Sequence, residues 1–398
     1  MSYQARFSFV GTPVIPKQKS DSKRPFCKEG EYTDKQTKKK RKTLSMTFGV
    51  KETDANMAFV EAFDSIQTTI KTMDSDNEKM DVDWDDRFDE DIVSKVANYR
   101  KYIVDLGEDH GGRQEFITVY DMIEHLRKYL PEYDGRVVVT GQFTRDWYAK
   151  KKMYFSKFRV QNVFAAPDER KSRLLITADL FYNKDGFDDS DFDENKKITL
   201  DCYIEQYINK DEGRKYVPIQ VVFSGAKYDM ENERHKKLFD YKMKYIKPNE
   251  IIVDGNTVKL KPTQFVHIPW EMVLLRGAEE ADFDESMLTD SQREQVELGI
   301  KTVDDFRPKG NIYGDRIDEF RLFDPKLDGD FADGLLAADD TPDEFEEKIY
   351  QPPQDETMEE AKKNSKKDAK KSKDEDDEPP FNEKDEKDDG GVADDDLF

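Results

Sequence analysis

A sustained two-residue periodicity in residues 136–224 is the feature that most constrains the fold of this chain. Polar and apolar side chains alternate through five consecutive segments, which are separated by turns rich in Asp, Gly and Asn. Such alternation is typical of β-strands with one buried face, and several strands at this spacing favour a barrel or a sandwich over βαβ units. The five predicted strands are 136–145, 152–166, 172–182, 196–208 and 214–224.

Further elements flank these strands on both sides. Alternating segments at Arg6–Val10, Leu44–Val50 and Met57–Phe63 predict an N-terminal β segment, whose first two strands are separated by a long loop. Apolar residues at helical spacing predict helices elsewhere in the chain. The predicted helices lie near 91–104, 119–129 and 232–247.

We therefore predict a mainly β protein with accessory helices, an α+β fold that contains one five-stranded barrel. The polar, low-complexity C-terminal part cannot bury enough apolar surface to fold alone. The predicted boundaries are 1–72 for a basic N-terminal β segment, 73–135 for an acidic connector with two helices, 136–275 for the barrel domain, 276–350 for an acidic, partly ordered region and 351–398 for a disordered acidic tail.

The charge of the chain is strongly segregated. Its 398 residues include 65 Lys and Arg against 88 Asp and Glu, for a net charge of −23. Against this background, residues 1–50 hold 12 basic and 4 acidic side chains, and residues 136–175 hold 10 basic and 3 acidic ones. Residues 351–398 hold 9 basic and 18 acidic side chains. A random solvated surface mixes its charges, so the two cationic islands require a physical explanation.

Several classes of protein are not expected from this sequence. Cys27 and Cys202 form no CxxC pair and the four His are widely separated, so neither a disulfide framework nor a zinc site is predicted. No signal-peptide pattern and no run of 18 apolar residues occurs, so we expect a cytoplasmic protein without membrane contact. Because P-loop, HExxH and GxSxG motifs are missing, we expect no enzyme activity and no cofactor.

Basic and aromatic side chains interleave along residues 143–164. A groove for single-stranded nucleic acid needs cations along the phosphates and flat rings on which bases stack. Trp147, Tyr148 and Phe155 are therefore predicted to stack bases, although a single aromatic residue in this stretch, such as Phe143, more often fills a β core. The residues predicted to hold phosphates are Arg145, Lys150, Lys151, Lys152, Lys157 and Arg159.

A second basic run lies near the N-terminus, at the end of the long loop. It is predicted to supply a second cationic wall of the same groove, but a solvated loop or a nuclear localisation patch has the same composition. The residues assigned to this wall are Lys38, Lys39, Lys40 and Arg41.

The C-terminus combines an acidic run with a bulky apolar pair. This pattern fits a docking peptide, in which the apolar pair enters a pocket on a partner while a basic rim holds the carboxylates. A tail that only maintains solubility is the alternative. The residues of the predicted docking peptide are Asp394, Asp395, Asp396, Leu397 and Phe398.

The predicted barrel with its basic and aromatic stretch, followed by the acidic end, resembles the bacteriophage and bacterial single-stranded-DNA-binding proteins. The resemblance rests on the strands from Arg136 to Ser224, with Gly141 in the first of them, and on the terminal Asp394–Phe398. Bacterial members usually have Pro before the terminal Phe, where this chain has Leu397. The resemblance implies a five-stranded OB-fold barrel that coats single-stranded DNA, and a tail that recruits replication proteins such as polymerase or helicase-primase.

The leading hypothesis is a non-catalytic single-stranded-DNA-binding protein of a phage-like system that acts in DNA replication, recombination and repair. Two other hypotheses remain open at this point. In the first, the chain is an acidic adaptor of the replication or transcription machinery, and its barrel binds protein instead of DNA. In the second, the barrel binds RNA, because stacking platforms do not by themselves select the sugar. The sequence does not determine the oligomeric state.

Overall fold

The computed structural model describes residues 5–16, 25–33, 38, 40–278, 280–281, 285–307, 312–313 and 316–353. Strands dominate this part of the chain. In chain order they are β1 Arg6–Val14, β2 Cys27–Thr33, β3 Lys40–Thr53, β4 Asn56–Ser65, β5 Thr69–Met73, β6 Lys79–Asp83, β7 Tyr102–Asp105, β8 Arg113–Phe116, β9 Val137–Tyr148, β10 Met153–Ala165, β11 Arg173–Tyr182, β12 Phe187–Asp188, β13 Lys197–Asn209, β14 Gly213–Ser224, β15 Glu250–Val253, β16 Asn256–Lys259, β17 Val266–Gly277, β18 Glu280–Ala281, β19 Ile312–Tyr313, β20 Ile317–Pro325 and β21 Leu336–Ala337.

Helices are fewer and shorter. The two longest, α2 and α4, confirm the helices predicted near 119–129 and 232–247, and each begins at a side chain that caps free N–H groups, Thr118 and Asn232 respectively. The α-helices are α1 Glu90–Lys95, α2 Val119–Tyr129, α3 Phe192–Asn195, α4 Glu233–Ile246, α5 Asp290–Glu297 and α6 Pro342–Glu347. Short 3₁₀ turns cover Trp84–Asp86, Asn98–Arg100, Glu108–His110, Leu130–Glu132, Lys184–Gly186, Glu285–Met287, Val303–Phe306 and Gly329–Phe331.

Hydrogen bonding joins seventeen of the described strands into one continuous sheet that closes on itself. The five predicted strands are present as β9, β10, β11, β13 and β14, but β1 pairs with β9 and β11, and β4 pairs with β10 and β17. The prediction of one five-stranded OB barrel with a separate N-terminal β segment is therefore wrong. Alternation specifies that a segment is a strand and which face it buries, but it does not specify the partner strand.

Two rings of five strands are embedded in this sheet. The first ring pairs in the order β1–β3–β4–β10–β9 and returns to β1. The second pairs in the order β11–β13–β14–β20–β17 and returns to β11. Each ring includes one parallel contact, Glu61 with Arg159 in the first and Val222 with Arg321 in the second. In chain order, α2 lies after β4, the third strand of the first ring, and α4 lies after β14, the third strand of the second ring. The same arrangement of five strands and one helix therefore occurs twice.

Large apolar side chains fill the interior of the sheet. Phe9, Phe48 and Phe158 are buried in the first ring. The aromatic rings of Phe9 and Phe158 meet edge to face, with 4.8 Å between their centroids. Gly141 on β9 lets the neighbouring strand approach closely, because an added Cβ would lie 1.9 Å from the carbonyl oxygen of Arg159 on β10. The register of the two strands shifts just beyond this point.

The last described segment crosses the second ring as a strap, defined here as residues 335–350. The strap includes α6, and its residue Phe345 is fully buried. The Phe345 ring stacks between the rings of Tyr216 and Phe265, with 3.8 Å between centroids on each side. The N–H of Tyr350 donates a hydrogen bond to the carbonyl of Tyr216 at 2.8 Å. The strap is thus held on the ring by aromatic stacking and by backbone pairing.

The helix predicted at 91–104 is wrong beyond its first turns. α1 ends at Lys95, and the backbone of Val96 is already extended. Residues 102–105 form β7, which pairs with both β8 and β10. Pairing with two neighbouring strands outweighs the helical spacing of the apolar residues in this segment.

Both cysteines are expected to be inert toward thiol reagents in the folded protein. Burial raises the pKa of the Cys27 thiol to about 12 and that of Cys202 well above its ordinary value. Because the thiolate is the reactive form, the raised pKa of Cys27 leaves little of it reactive at pH 8. Ellman's reagent should therefore detect no thiol at pH 8 until the protein is unfolded, when both react. A rapid reaction of one thiol in the native protein would contradict this burial.

Candidate nucleic-acid interface

The hairpin of β9 and β10 carries most of the basic and aromatic residues that the sequence singled out. Its strands pair as far as Tyr148 with Met153, so β9 continues three residues beyond its predicted end. The turn comprises residues 149–152, where the N–H of Lys151 donates to the carbonyl of Tyr148 at 3.2 Å. This turn places Lys150, Lys151 and Lys152 at an exposed tip, whereas Trp147 and Tyr148 belong to the strand.

One side of the hairpin presents rings and cations together. The rings of Tyr148 and Phe155 meet edge to face, with 5.5 Å between their centroids. Asp146 forms ion pairs with Lys157 at 3.1 Å and with Arg159 at 3.5 Å. The Arg159 side chain is 53% exposed, so these pairs orient the cations while adding little stability. A phosphate that approaches this side meets both cations.

Arg145 and Trp147 project from the opposite side of the hairpin. The Trp147 ring meets Tyr154 at 5.0 Å, and the Arg145 guanidinium lies 5.9 Å from the Tyr154 ring. The backbone N–H of Arg145 donates to the side-chain oxygen of Gln206 on β13 at 2.8 Å. Burial lowers the pKa of Arg145 to about 10. These two predicted site residues therefore lie against the second ring, away from Phe155.

The side of the hairpin that carries Phe155 continues across β4, β3 and β2, and we call this whole surface the outer face. Arg159 is paired with Glu61 on β4, and residues that pair across neighbouring strands share a face of the sheet. Because side chains alternate along a strand, Phe59 and Phe63 lie on the same side as Glu61. Their side chains are 37% and 45% exposed.

Small residues on β3 keep these two rings accessible. Phe59 is paired with Gly49, and Phe63 is paired with Ser45. Neither neighbour is large enough to cover a ring. Since the two rings are four residues apart on one strand, their Cα atoms are separated by about 13 Å. The outer face therefore offers two separate stacking positions between the hairpin tip and the far edge of β3.

The far end of the outer face is formed by the hairpin of β2 and β3. Tyr32 is paired with Arg41 and is 38% exposed, and Lys38 and Lys40 are exposed beside them. Arg41 and Phe63 also line a cleft of about 590 Å³ beside the start of α2. The outer face therefore has cations at both ends and aromatic rings along its length. The predicted site residues Lys39 and Asp394–Phe398 lie outside the described residues.

Two solved structures are among those that align with this chain. No protein-family model matches the chain, and no match is found among curated proteins. The wild-type single-stranded DNA binding protein from Thermus aquaticus aligns with a TM-score of 0.27 and 8% identity, over 72% of this chain and 100% of that one. A deletion mutant of the same protein aligns with a TM-score of 0.24 and 8% identity, over 69% and 89%.

Two further features of the structure bear on the kind of site that is present. No helix within the described ranges is long and apolar enough to cross a membrane. In the same ranges, His, Cys, Asp and Glu side chains form no group of three or more that is suited to a metal ion.

Sequence reasoning missed three aromatic residues of the outer face, namely Tyr32, Phe59 and Phe63. The alternation of residues 57–63 was recognised, and it already separates Phe59 and Phe63 from the buried Ala58, Val60 and Ala62. What the sequence lacked was the information that β4 lies next to β10. The sequence carries no signal that this side is exposed, because within residues 57–63 the side with Phe59 and Phe63 holds only one polar residue, Glu61.

Proposed function

We propose that this protein binds single-stranded DNA along the outer face with little sequence preference. The observation that carries the proposal is the single surface formed by β9, β10, β4, β3 and β2, on which exposed rings alternate with cations. Tyr148, Phe155, Phe59 and Phe63 are placed to stack bases, because every base has a π face that an aromatic ring accepts. Lys157 and Arg159, with the lysines of the hairpin tip, are placed to hold phosphates.

The positions of the basic residues on the outer face support this proposal. Lys150, Lys151 and Lys152 lie at the tip of the hairpin of β9 and β10, at one end of the face. Lys40 and Arg41 begin β3 at the other end, where Arg41 is paired with Tyr32. A single strand laid along the outer face would therefore meet cations at both ends.

The direct test is fluorescence anisotropy of labelled oligo-dT with the full chain across a salt series. Tight binding that weakens steeply with salt is expected, because each phosphate contact releases condensed counterions. Competition with oligo-U separates DNA from RNA preference, since the outer face by itself does not select the sugar. If no binding occurs even at low salt, the proposal fails and the acidic adaptor becomes the better hypothesis.

Arg159→Met is expected to lower the affinity for oligo-dT and to reduce the slope of log K against log salt by about one. Arg145→Met is the matched control, because it removes the same charge from the same hairpin but from the side that faces the second ring. The slope of this control should equal that of the parent protein. Equal slopes for both variants, or a larger loss with Arg145→Met, would contradict the assignment of the outer face.

The phage-type replication context belongs to the same proposal. The acidic C-terminal segment that ends in Asp394–Phe398 would recruit replication proteins such as polymerase or helicase-primase in the cytoplasm, because an apolar pair beside several carboxylates suits a basic-rimmed pocket. Removal of these five residues should abolish capture of the replication polymerase while leaving the affinity for oligo-dT measurable. Undiminished capture would exclude the segment as the recruiting element.

A further inference from the structure

Helix α4 is anchored on the second ring by one of its sides only. Lys242 is buried, donates a hydrogen bond to the carbonyl of Phe323 and forms an ion pair with Asp324 at 2.9 Å. Phe239 packs against Phe223, with 5.7 Å between ring centroids. These contacts hold the helix in place, so its other side is not needed to attach it to the protein.

The solvent side of α4 carries apolar and basic side chains in one stripe. Leu238 and Tyr241 are 45% and 40% exposed, and the Tyr241 ring meets Tyr245 at 5.3 Å. Residues three, four and seven apart lie on the same face of a helix, so these apolar side chains share that face with cations on either side. The residues of this α4 stripe are Arg234, Lys237, Leu238, Tyr241 and Lys244.

This combination differs from an ordinary solvated helix face. Lone exposed apolar residues are common on protein surfaces, but two large neighbouring ones framed by three cations form a small docking patch of defined chemistry. Lys237 lies 4.0 Å from Glu233, and because both side chains are strongly exposed this ion pair is weak. The patch fits a ligand that has a short bulky apolar end next to several negative charges.

The chain contains a segment with that chemistry. Asp394, Asp395 and Asp396 precede Leu397 and Phe398, so three negative charges stand next to a bulky apolar pair. Residues 354–398 follow the last described residue, Pro353, and 45 residues span up to about 150 Å when extended. Length therefore does not prevent the C-terminus from reaching α4 from the end of the strap, where Tyr350 lies beside Tyr216 and Tyr154.

We propose that the α4 stripe is the docking site for the protein's own C-terminal segment Asp394–Phe398. Leu397 and Phe398 pack on Leu238 and Tyr241, while the carboxylates pair with the basic side chains that frame them. The contact is held by both apolar burial and charge, so it weakens as salt screens the ion pairs. This inference does not depend on DNA binding, since α4 lies on the second ring.

The test uses the full chain with Phe398 replaced by the photo-crosslinker p-benzoylphenylalanine. After irradiation at low salt without DNA, crosslinks are expected to map by mass spectrometry to the α4 peptide that contains Leu238 and Tyr241. The yield of this crosslink should fall at least fivefold in Lys237→Glu/Lys244→Glu and in Leu238→Ser. Lys236→Glu is the matched control, because Lys236 is exposed on α4 but lies away from the stripe, and it should retain the parent yield.

Three results would overturn the proposal. Crosslinks that map to the hairpin of β9 and β10 would place the segment on the outer face instead. Equal yields in the control and in the stripe variants would show that the stripe is not the docking site. If the stripe variants lower the affinity for oligo-dT and leave the crosslink yield unchanged, the stripe binds nucleic acid and not the C-terminal segment. Circular dichroism of each variant ensures that a lost crosslink does not reflect unfolding, and a dilution series separates docking within one chain from docking between copies.

Discussion

Replacement of both Phe59 and Phe63 by alanine is expected to weaken oligo-dT binding by at least about 30-fold at moderate salt. Each base stacked on an aromatic ring contributes about 1–3 kcal/mol, and a change of 1.4 kcal/mol corresponds to a factor of ten in affinity. Both rings lie on the outer face and are partly exposed, so their removal leaves no cavity in the core. Titration by fluorescence anisotropy with the parent and the double variant measures the effect directly.

The control for this experiment is Tyr207→Ala. Tyr207 is a large aromatic residue that is 57% exposed, but it lies on β13 of the second ring. Its removal should leave the affinity within about twofold of the parent. The salt slope of the Phe59 and Phe63 variant should also stay unchanged, because stacking releases no counterions. If the double variant binds as tightly as the parent, bases do not stack on β4 and the outer face is wrongly assigned.

Phe345→Ala is expected to detach the strap from the second ring. Truncation of a buried Phe costs about 3–5 kcal/mol, and here it removes the ring that stacks between Tyr216 and Phe265. Hydrogen exchange measures the result locally, through the N–H of Tyr350, which donates to the carbonyl of Tyr216 in the docked strap. Its protection factor should fall by at least about 100-fold, because 3 kcal/mol corresponds to a factor slightly above that.

Phe88→Ala serves as the control for the strap. Phe88 is 59% exposed, and the Arg87 guanidinium lies 4.3 Å from the centroid of its ring. This variant removes the same atoms without opening a buried site, so the exchange rate at Tyr350 should not change. Retained protection at Tyr350 in Phe345→Ala would mean that backbone pairing alone holds the strap, and that the aromatic stack contributes little to its docking.

Local patterning predicted the elements near the interface well. β9, β10, β11, β13 and β14 lie within three residues of the strands expected from alternation, and α2 and α4 match the expected helices closely. In these segments the apolar residues recur with a clear period, and turn residues or helix caps mark the ends. The local conformational preference and the burial of the apolar face therefore favour the same structure. The segment at 91–104 shows the opposite case, since pairing of residues 102–105 with β10 replaced the expected helix.

The position of each side chain relative to the outer face depended on more than alternation. The sequence placed Phe155, Lys157 and Arg159 on one side of a strand, and the structure has them on that side. Trp147 was expected to stack bases just beyond the predicted end of its strand, yet β9 extends past it and its ring meets Tyr154. A residue beyond the predicted end of a strand has no assigned face, and once the strand continues through it, its face follows from the two-residue period.

The sequence by itself therefore determined that this chain is rich in strands, where most of the strands near the interface lie, and that its cations and rings are concentrated in a few segments. The tertiary structure decided which strands are neighbours. It built two rings from segments far apart in the chain, brought Phe59 and Phe63 beside Arg159, and turned Arg145 away from them. The physical reason is that strand pairing uses backbone groups common to all residues, so the partner of a strand is selected by global packing of the core and not by its local pattern.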